Sequence, residues 1–390
     1  MYNVTLENND SVLVYGLSTE GYILSNSLVS NSIRTTILDE KLHVATEITP
    51  QILSEYSTAR SIIEEEALFS IQPEKNAISE NPIIFFTPKI RETDDYKKKI
   101  FSMVSELSTE LSKGAVFFNC VPLGYGQNSE MVEIIERSSG LDSETDFIYS
   151  YLPLEPKTNK SITFGTHNLD NKKIVQNLAK SANIKFTQTY DLEISEILHL
   201  EKISSLYSPI IAKSESLKKL KDYDKRKILK NEIYYIEDLT NHLSDIRCYT
   251  SSLDSGDPSL YMMSGILRSI DSFTRFFIDE LKSFMKKNSL KASKTEIYLC
   301  WSIDKSEIRG DKVIMHEHII DKIYDVVGNI NDINNYATTK NGEASYYLPT
   351  SDKKQLLILC SKNDEKILKT FKRNLDDNMF LIHANTLCTR

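Results

Sequence analysis

Short apolar runs recur through the first half of the chain, each closed by turn residues and separated from the next by a longer amphipathic stretch. Val12-Leu13-Val14-Tyr15, Ile83-Ile84-Phe85-Phe86 and Ala115-Val116-Phe117-Phe118 are the clearest. Their alternation with helical spacing over residues 97–111 predicts a parallel sheet. Ile162-Thr163-Phe164-Gly165 predicts one more strand, then a helix over residues 171–182 and a short strand at Ile184-Lys185-Phe186. From Asp191 the pattern lengthens. Ile194, Ile197, Leu198, Ile203, Leu206, Ile210 and Ile211 predict one apolar face of a long helix. Strands return with Glu296-Ile297-Tyr298-Leu299-Cys300-Trp301, Leu356-Leu357-Ile358-Leu359-Cys360 and Met379-Phe380-Leu381-Ile382. The expected class is α/β, in three parts. A doubly wound, Rossmann-like domain spans residues 1–190, a central long-helix region 191–290, and a smaller Rossmann-like α/β domain 291–390.

The first forty residues carry chemistry as well as pattern. Val12 to Tyr15 runs into Gly16-Leu17-Ser18-Thr19-Glu20-Gly21, a helical segment follows, and Thr35-Thr36-Ile37-Leu38 ends on Asp39. That is the layout of a dinucleotide-binding βαβ unit. Gly16 lets the chain turn sharply, and Gly21 lets the helix pack close to the strand. Asp39, roughly 20 residues downstream, is placed to accept hydrogen bonds from a ribose. The middle position, where glycine lets backbone approach a pyrophosphate, is Ser18. A doubly wound half-domain that no longer binds a dinucleotide well therefore stands beside the cofactor reading. Thr87-Pro88 and Cys120, which close the next strand runs, complete the candidate NAD-binding set.

Composition narrows the partners. Of 390 residues 40% are hydrophobic, and 47 Lys and Arg against 55 Asp and Glu leave a formal charge of -8. An acidic balance argues against a general nucleic-acid surface. The basic stretch from Lys218 to Lys230 reads as a solvated helix face. Cys120, Cys248, Cys300, Cys360 and Cys388 are scattered, without zinc or CxxC spacing, which fits a reducing compartment. His316-Glu317-His318 sets two imidazoles at i and i+2, which point apart on a helix, so no metal is expected. The chain starts without a basic n-region and contains no run of 18 apolar residues, so the expectation is a cytoplasmic protein without a membrane role.

The order of the pieces resembles the nucleotide-sugar 6-dehydrogenases, the group of UDP-glucose, UDP-N-acetylmannosamine and GDP-mannose dehydrogenases. Beyond the amino-terminal unit, Val121-Pro122-Leu123-Gly124 is similar to the family's S-T-V-P-P-G-T loop, and residues 146–153 to its D-F-x-L-x-x-S-P-E segment. Ser195-Glu196-Ile197 follows the register of its E-A-E-L-x-K helix. Asp257-Pro258 matches the D-P after its catalytic loop, and Leu356 to Glu365 resembles its last strand and H-D-E-F turn. The resemblance implies a double oxidation of a sugar hydroxymethyl group by two NAD⁺, through a cysteine thiohemiacetal and thioester. It also implies a homodimer through the central helix and a role in polysaccharide or glycosylation metabolism.

Carried over position by position, the family's lysine falls on His199, its asparagine on Ile203, its nucleophilic cysteine on Leu253, its glutamate on Leu154 and its threonine on Cys120. Only Asp257 keeps its type. His199, with an ordinary pKa of ~6.5, is a candidate base, against a packed histidine. Cys248 is the candidate replacement thiol, against a small buried residue. Arg309, in Glu307-Ile308-Arg309, is similar to the D-x-R-x-S signature and is the candidate for gripping a nucleotide diphosphate. The catalytic candidates are thus Asp257, His199 and Cys248. Two functions follow. One is a degenerate relative that binds NAD, a nucleotide sugar, or both, without full catalysis. The other is an active NAD-dependent oxidoreductase that converts a UDP- or GDP-sugar to a uronate through a rearranged site.

Overall fold

A computed structural model describes residues 11–64, 71–90, 96–220, 233–333, 351–371 and 378–386. Cys388 and most of the basic stretch after Lys219 lie outside the described residues. The chain divides into two compact units: one of Met1–Ile203, Ser244–Leu260 and Lys305–Gly310, the other of Ser204–Leu243, Tyr261–Asp304 and Asp311–Arg390.

The first unit is built on a sheet of nine described strands: β1 (Ser11–Tyr15), β2 (Arg34–Asp39), β3 (Val44–Ile48), β4 (Ile71–Pro73), β5 (Ile83–Phe86), β6 (Ala115–Asn119), β7 (Phe147–Tyr151), β8 (Gly165–Thr166) and β9 (Tyr190–Asp191). Their order is β4-β3-β2-β1-β5-β6-β7-β8-β9. From β2 to β7 across β1, β5 and β6 every pairing is parallel. Antiparallel β3 and β4 extend one edge; neither was legible as a strand, because both are short and only half-buried. The expected strand at residues 162–165 shrinks to β8, and residues 184–186 supply only a bridge from Lys185 to Lys160.

Alternation along β1 explains why continuous apolar runs are needed here. Val12 and Val14 face one core cluster with Phe85, Phe118 and Phe164. Leu13 and Tyr15 face the opposite cluster with Phe86, Phe117, Tyr149 and Tyr151. Helices cover both faces, so the central strands are apolar on both sides. Each buried aromatic contributes ~1.5–3 kcal/mol of burial, and Phe85 stacks on Phe118 with ring centroids 4.6 Å apart.

The second unit carries a fully parallel sheet in the order β11-β10-β12-β13, from β10 (Thr295–Cys300), β11 (Asn331–Ile333), β12 (Lys354–Leu359) and β13 (Met379–His383). Just past the ends of β10 and β12, the buried Asp364 accepts from Ser302 N at 3.1 Å and from Ser302 Oγ at 2.6 Å, and also binds Ser361 Oγ.

The long helix Leu192–Lys218 forms as expected, but it buries a different face. The buried stripe is Leu192, Ser195, Glu196, His199, Ile203, Tyr207, Ile210, Ser214 and Leu217, whereas Ile194, Ile197 and Leu206 are more than 40% exposed. The spacing of 3.6 residues is kept. Ser195, Glu196 and His199 are tolerated there because they are hydrogen-bonded. The Glu196 carboxylate accepts from Gly126 N at 2.7 Å, Asn128 N at 3.0 Å and Asn128 Nδ2 at 2.7 Å, which caps the helix Gln127–Ser139.

Burial raises the Glu196 carboxyl above its ordinary value, and the amide hydrogen bonds only partly oppose this. A raised acid adds stability that is complete below the unfolded value of ~4.3 and is lost as pH rises through the folded value. Urea unfolding of Glu196→Gln is therefore expected to lose less stability than the wild type between pH 4 and neutrality. A parallel pH dependence in the two proteins would show that burial of the acid has no such effect.

Candidate functional site

In an open parallel sheet, ligands enter where the strand order reverses, outside the carboxyl ends of the strands. Within the first unit that point lies between β1 and β5, and the glycine turn sits on it. Gly16 has φ 119°, and a Cβ there would come within 2.5 Å of the Pro88 backbone. At Gly21 a Cβ would meet Thr87 Oγ1 at 2.5 Å and Gly16 O at 2.7 Å. Only glycine satisfies either position. Thr87 Oγ1 bonds Gly16 O at 3.2 Å, which fixes the turn against the neighbouring strand.

Ser18 caps the helix Thr19–Ser30, its Oγ accepting from Gly21 N at 3.0 Å. The neighbouring amides are also used. Leu17 N donates to Glu40 Oε2 at 3.0 Å, Thr19 N to Ser306 O at 2.7 Å and Tyr22 N to Ser18 O at 2.8 Å. Asp39 Oδ1 accepts from Lys41 N at 2.8 Å, closing the turn after β2. Glu40, one residue on, reaches back to Leu17 N and also accepts from Lys89 N at 3.0 Å. Glu20 is 1% exposed in the first turn of the helix, where a carboxylate suits the dipole. It accepts from Lys157 N at 3.0 Å and Ile308 N at 2.9 Å. A bound pyrophosphate needs these amides unused and no carboxylate beside them, so the arrangement as it stands does not fit one.

A second polar system lies in the same unit. Arg309 is 3% exposed and donates through Nε and Nη2 to the two oxygens of Asp245, at 2.6 and 3.0 Å, and through Nη1 to Leu154 O at 2.8 Å. Asp245 Oδ2 also lies 3.0 Å from His199 Nε2, and His199 Nδ1 lies 2.8 Å from Tyr151 Oη. Tyr151 Oη accepts in turn from Leu123 N at 3.0 Å. Asp245 as acceptor places a proton on His199 Nε2, while the Tyr151 hydroxyl lies between His199 Nδ1 and Leu123 O, 3.3 Å away. The Arg309 guanidinium balances the Asp245 carboxylate. Side chains of His199 and Asp245 are 0% exposed. Burial pushes the Tyr151 hydroxyl far above its ordinary value, so it is a donor and no base.

The structure thus brings two candidates, His199 and Arg309, onto one carboxylate. Asp245 was missed by sequence reasoning; its signal was an acid three and four residues before Cys248 and Tyr249 on an otherwise apolar helical face. Cys248 is buried, with Sγ 3.9 Å from Pro122 O. Cys120 is fully buried and burial pushes its thiol up, away from the nucleophilic thiolate. Asp257 precedes the helix Pro258–Lys287, with Oδ1 accepting from Ser259 N at 2.7 Å. Leu154 and Ile203 are 0% exposed. In the second unit His316 Nε2 meets Asp332 Oδ1 at 2.9 Å, and no cluster of three metal-ligating side chains occurs among the described residues.

Sheet order, glycine turn and switch-point crevice define a doubly wound, Rossmann-like protein with a second parallel α/β sheet. Its fold is that of the nucleotide-sugar dehydrogenases. UDP-D-ManNAc dehydrogenase from Pyrococcus horikoshii superimposes with a TM-score of 0.60 over 97% of this chain and 96% of the other, at 14% identity. UDP-glucose dehydrogenase from Pyrobaculum islandicum gives 0.60 over 96% and 94%, at 9% identity. UDP-N-acetyl-mannosamine dehydrogenase from S. aureus gives 0.57 over 97% and 99%, at 10% identity. No protein-family model and no curated protein matches the sequence.

Removing one partner of a buried ion pair leaves the other charge uncompensated. Asp245→Ala is expected to lower unfolding free energy by ~3–5 kcal/mol in chemical denaturation. Replacing Asp245 by Leu together with Arg309 by Met should cost less than the sum of the two single changes. Simple additivity would mean that the two side chains do not share one network.

Proposed function

We propose that the chain is a dehydrogenase-fold protein that carries out no double oxidation, and that it serves as a ligand-binding regulatory or scaffold component of polysaccharide or glycosylation metabolism. Its ligand would be a nucleotide sugar, held without turnover, with a dinucleotide admitted only if the groups that now fill the glycine turn are displaced. The observation that carries this reading is the sealed network of Tyr151, His199, Asp245 and Arg309. The resemblance looks there for a lysine, an asparagine and a glutamate around a reactive thiol. This chain supplies an imidazole already bonded at both nitrogens, beside the buried apolar side chains of Ile203 and Leu154. An apolar branched side chain cannot donate to a developing oxyanion. The thiols of Cys120 and Cys248 are buried in packing positions.

The exposed Ile194 and Ile197 on the long helix support a self-association surface of the kind the family resemblance implies. A homodimer through that helix is part of the proposal. No helix among the described residues is long and apolar enough to cross a membrane, and we place the protein in the cytoplasm.

Purified protein incubated with NAD⁺ and a panel of UDP- and GDP-sugars is expected to show no growth of NADH absorbance. Sustained turnover that disappears with Asp257→Ala would establish the oxidoreductase reading instead. For the dimer, sedimentation of Ile197→Glu is expected to give half the wild-type mass with an unchanged circular dichroism spectrum. A wild-type monomer would remove this part of the proposal.

A further inference from the structure

Residues Lys305–Gly310 return from the carboxy-terminal half of the chain and lie with the first unit. They meet the glycine turn at the point where a dinucleotide would place its pyrophosphate. Ser306 O accepts from Thr19 N at 2.7 Å, the first amide of the helix. Ile308 N donates to Glu20 Oε2 at 2.9 Å, and Ile308 O accepts from Ile90 N at 2.8 Å. Lys157 Nζ pairs with Glu307 Oε1 at 3.0 Å, while the Lys157 amide also binds Glu20. Arg309 anchors the far end on Asp245 and Leu154 O. The segment is also held by packing: Ile308 is 0% exposed and belongs to the same apolar cluster as Leu13, Tyr15 and Phe86.

We propose that Lys305–Gly310 is an internal strap that occupies the dinucleotide crevice, so that the resting protein excludes NAD⁺ and admits a dinucleotide only when the strap is displaced. Two features beyond the hydrogen bonds support a strap. Glu307 brings the strap's own carboxylate next to Glu20 at the helix N-terminus, where a phosphate would have to sit, and this added negative charge repels it. Lys157 is the cation that balances them, and its side chain is 31% exposed, so it can be removed without opening the core. The strap also supplies the Ser306 carbonyl that accepts from Thr19 N. Withdrawal therefore releases that first helix amide towards a phosphate, and closing takes it up again. This inference concerns access to the crevice and is independent of whether the chain turns over a substrate.

The test compares wild type, Lys157→Ala and Ile308→Gly by hydrogen exchange and by thermal-shift titration with NAD⁺. In the wild type the Thr19 and Ile308 amides are expected among the slowest to exchange, with no shift in Tm at millimolar NAD⁺. Lys157→Ala removes one ion pair and should speed exchange over residues 305–310 about tenfold, with a Tm that now rises with NAD⁺. Ile308→Gly removes the apolar peg and should act in the same direction. The strap is overturned if the wild type binds NAD⁺ while Thr19 and Ile308 stay protected. It is equally overturned if those amides exchange freely without ligand, or if a folded variant with a loosened segment still shows no response to NAD⁺. A wild type that binds NAD⁺ yet forms no NADH would discard the strap and leave the reading of catalytic silence intact.

Discussion

Asp245 is a carboxylate with no exposure, and burying such a charge is tolerable only when an opposite charge and further donors are buried with it. The rest of the first unit is arranged around that requirement. Arg309 arrives from 64 residues away to supply both a cation and a planar fork, and its remaining edge needs the carbonyl of Leu154. His199 meets that acid through Nε2, and its Nδ1 meets the Tyr151 hydroxyl, which in turn binds the loop at Leu123. A chain of obligations starting from one acid therefore positions five segments. The same obligations remove the imidazole and the guanidinium from the chemistry that their residue types suggest.

The sheet was legible because its strands are apolar on both faces. Val12, Leu13, Val14 and Tyr15 alternate between two cores, so every residue of the run is hydrophobic and the run stands out. The glycines were legible for a similar reason: Gly16 and Gly21 are forced by a close approach that any side chain would block. The buried face of Leu192–Lys218 was not legible. Its stripe contains Ser195, Glu196 and His199, whose burial depends on partners at Thr163, Gly126, Asn128, Asp245 and Tyr151. None of those partners is local, so hydropathy along the helix pointed to Ile194 and Ile197 instead.

The candidate site divides along the same line. Residue types at His199 and Arg309 could be read from the sequence, but their roles depend on Asp245, which has no motif around it. Ser18 read as a missing glycine, and in the structure it is a helix cap. Its hydroxyl does locally what a ligand oxygen would do from outside. Glu40 was passed over in favour of its neighbour Asp39. The side chain that crosses to the turn is the one beyond the strand end, and only the three-dimensional path of β2 shows which of the two adjacent acids reaches it.

The separation in sequence of the groups that meet at Asp245 bears on synthesis. The first unit contains the amino terminus, yet its polar core is closed by residues near 245 and 309. A nascent chain can form the whole β-sheet only once β9 has emerged. It cannot satisfy the Leu154 carbonyl or the His199 imidazole until well over half the protein has been made. Until then the amino-terminal part has unpaired interior groups and an open crevice. Termination between Asp191 and Arg309 therefore yields a product lacking the polar closure of its core, even though all nine described strands of its sheet are present.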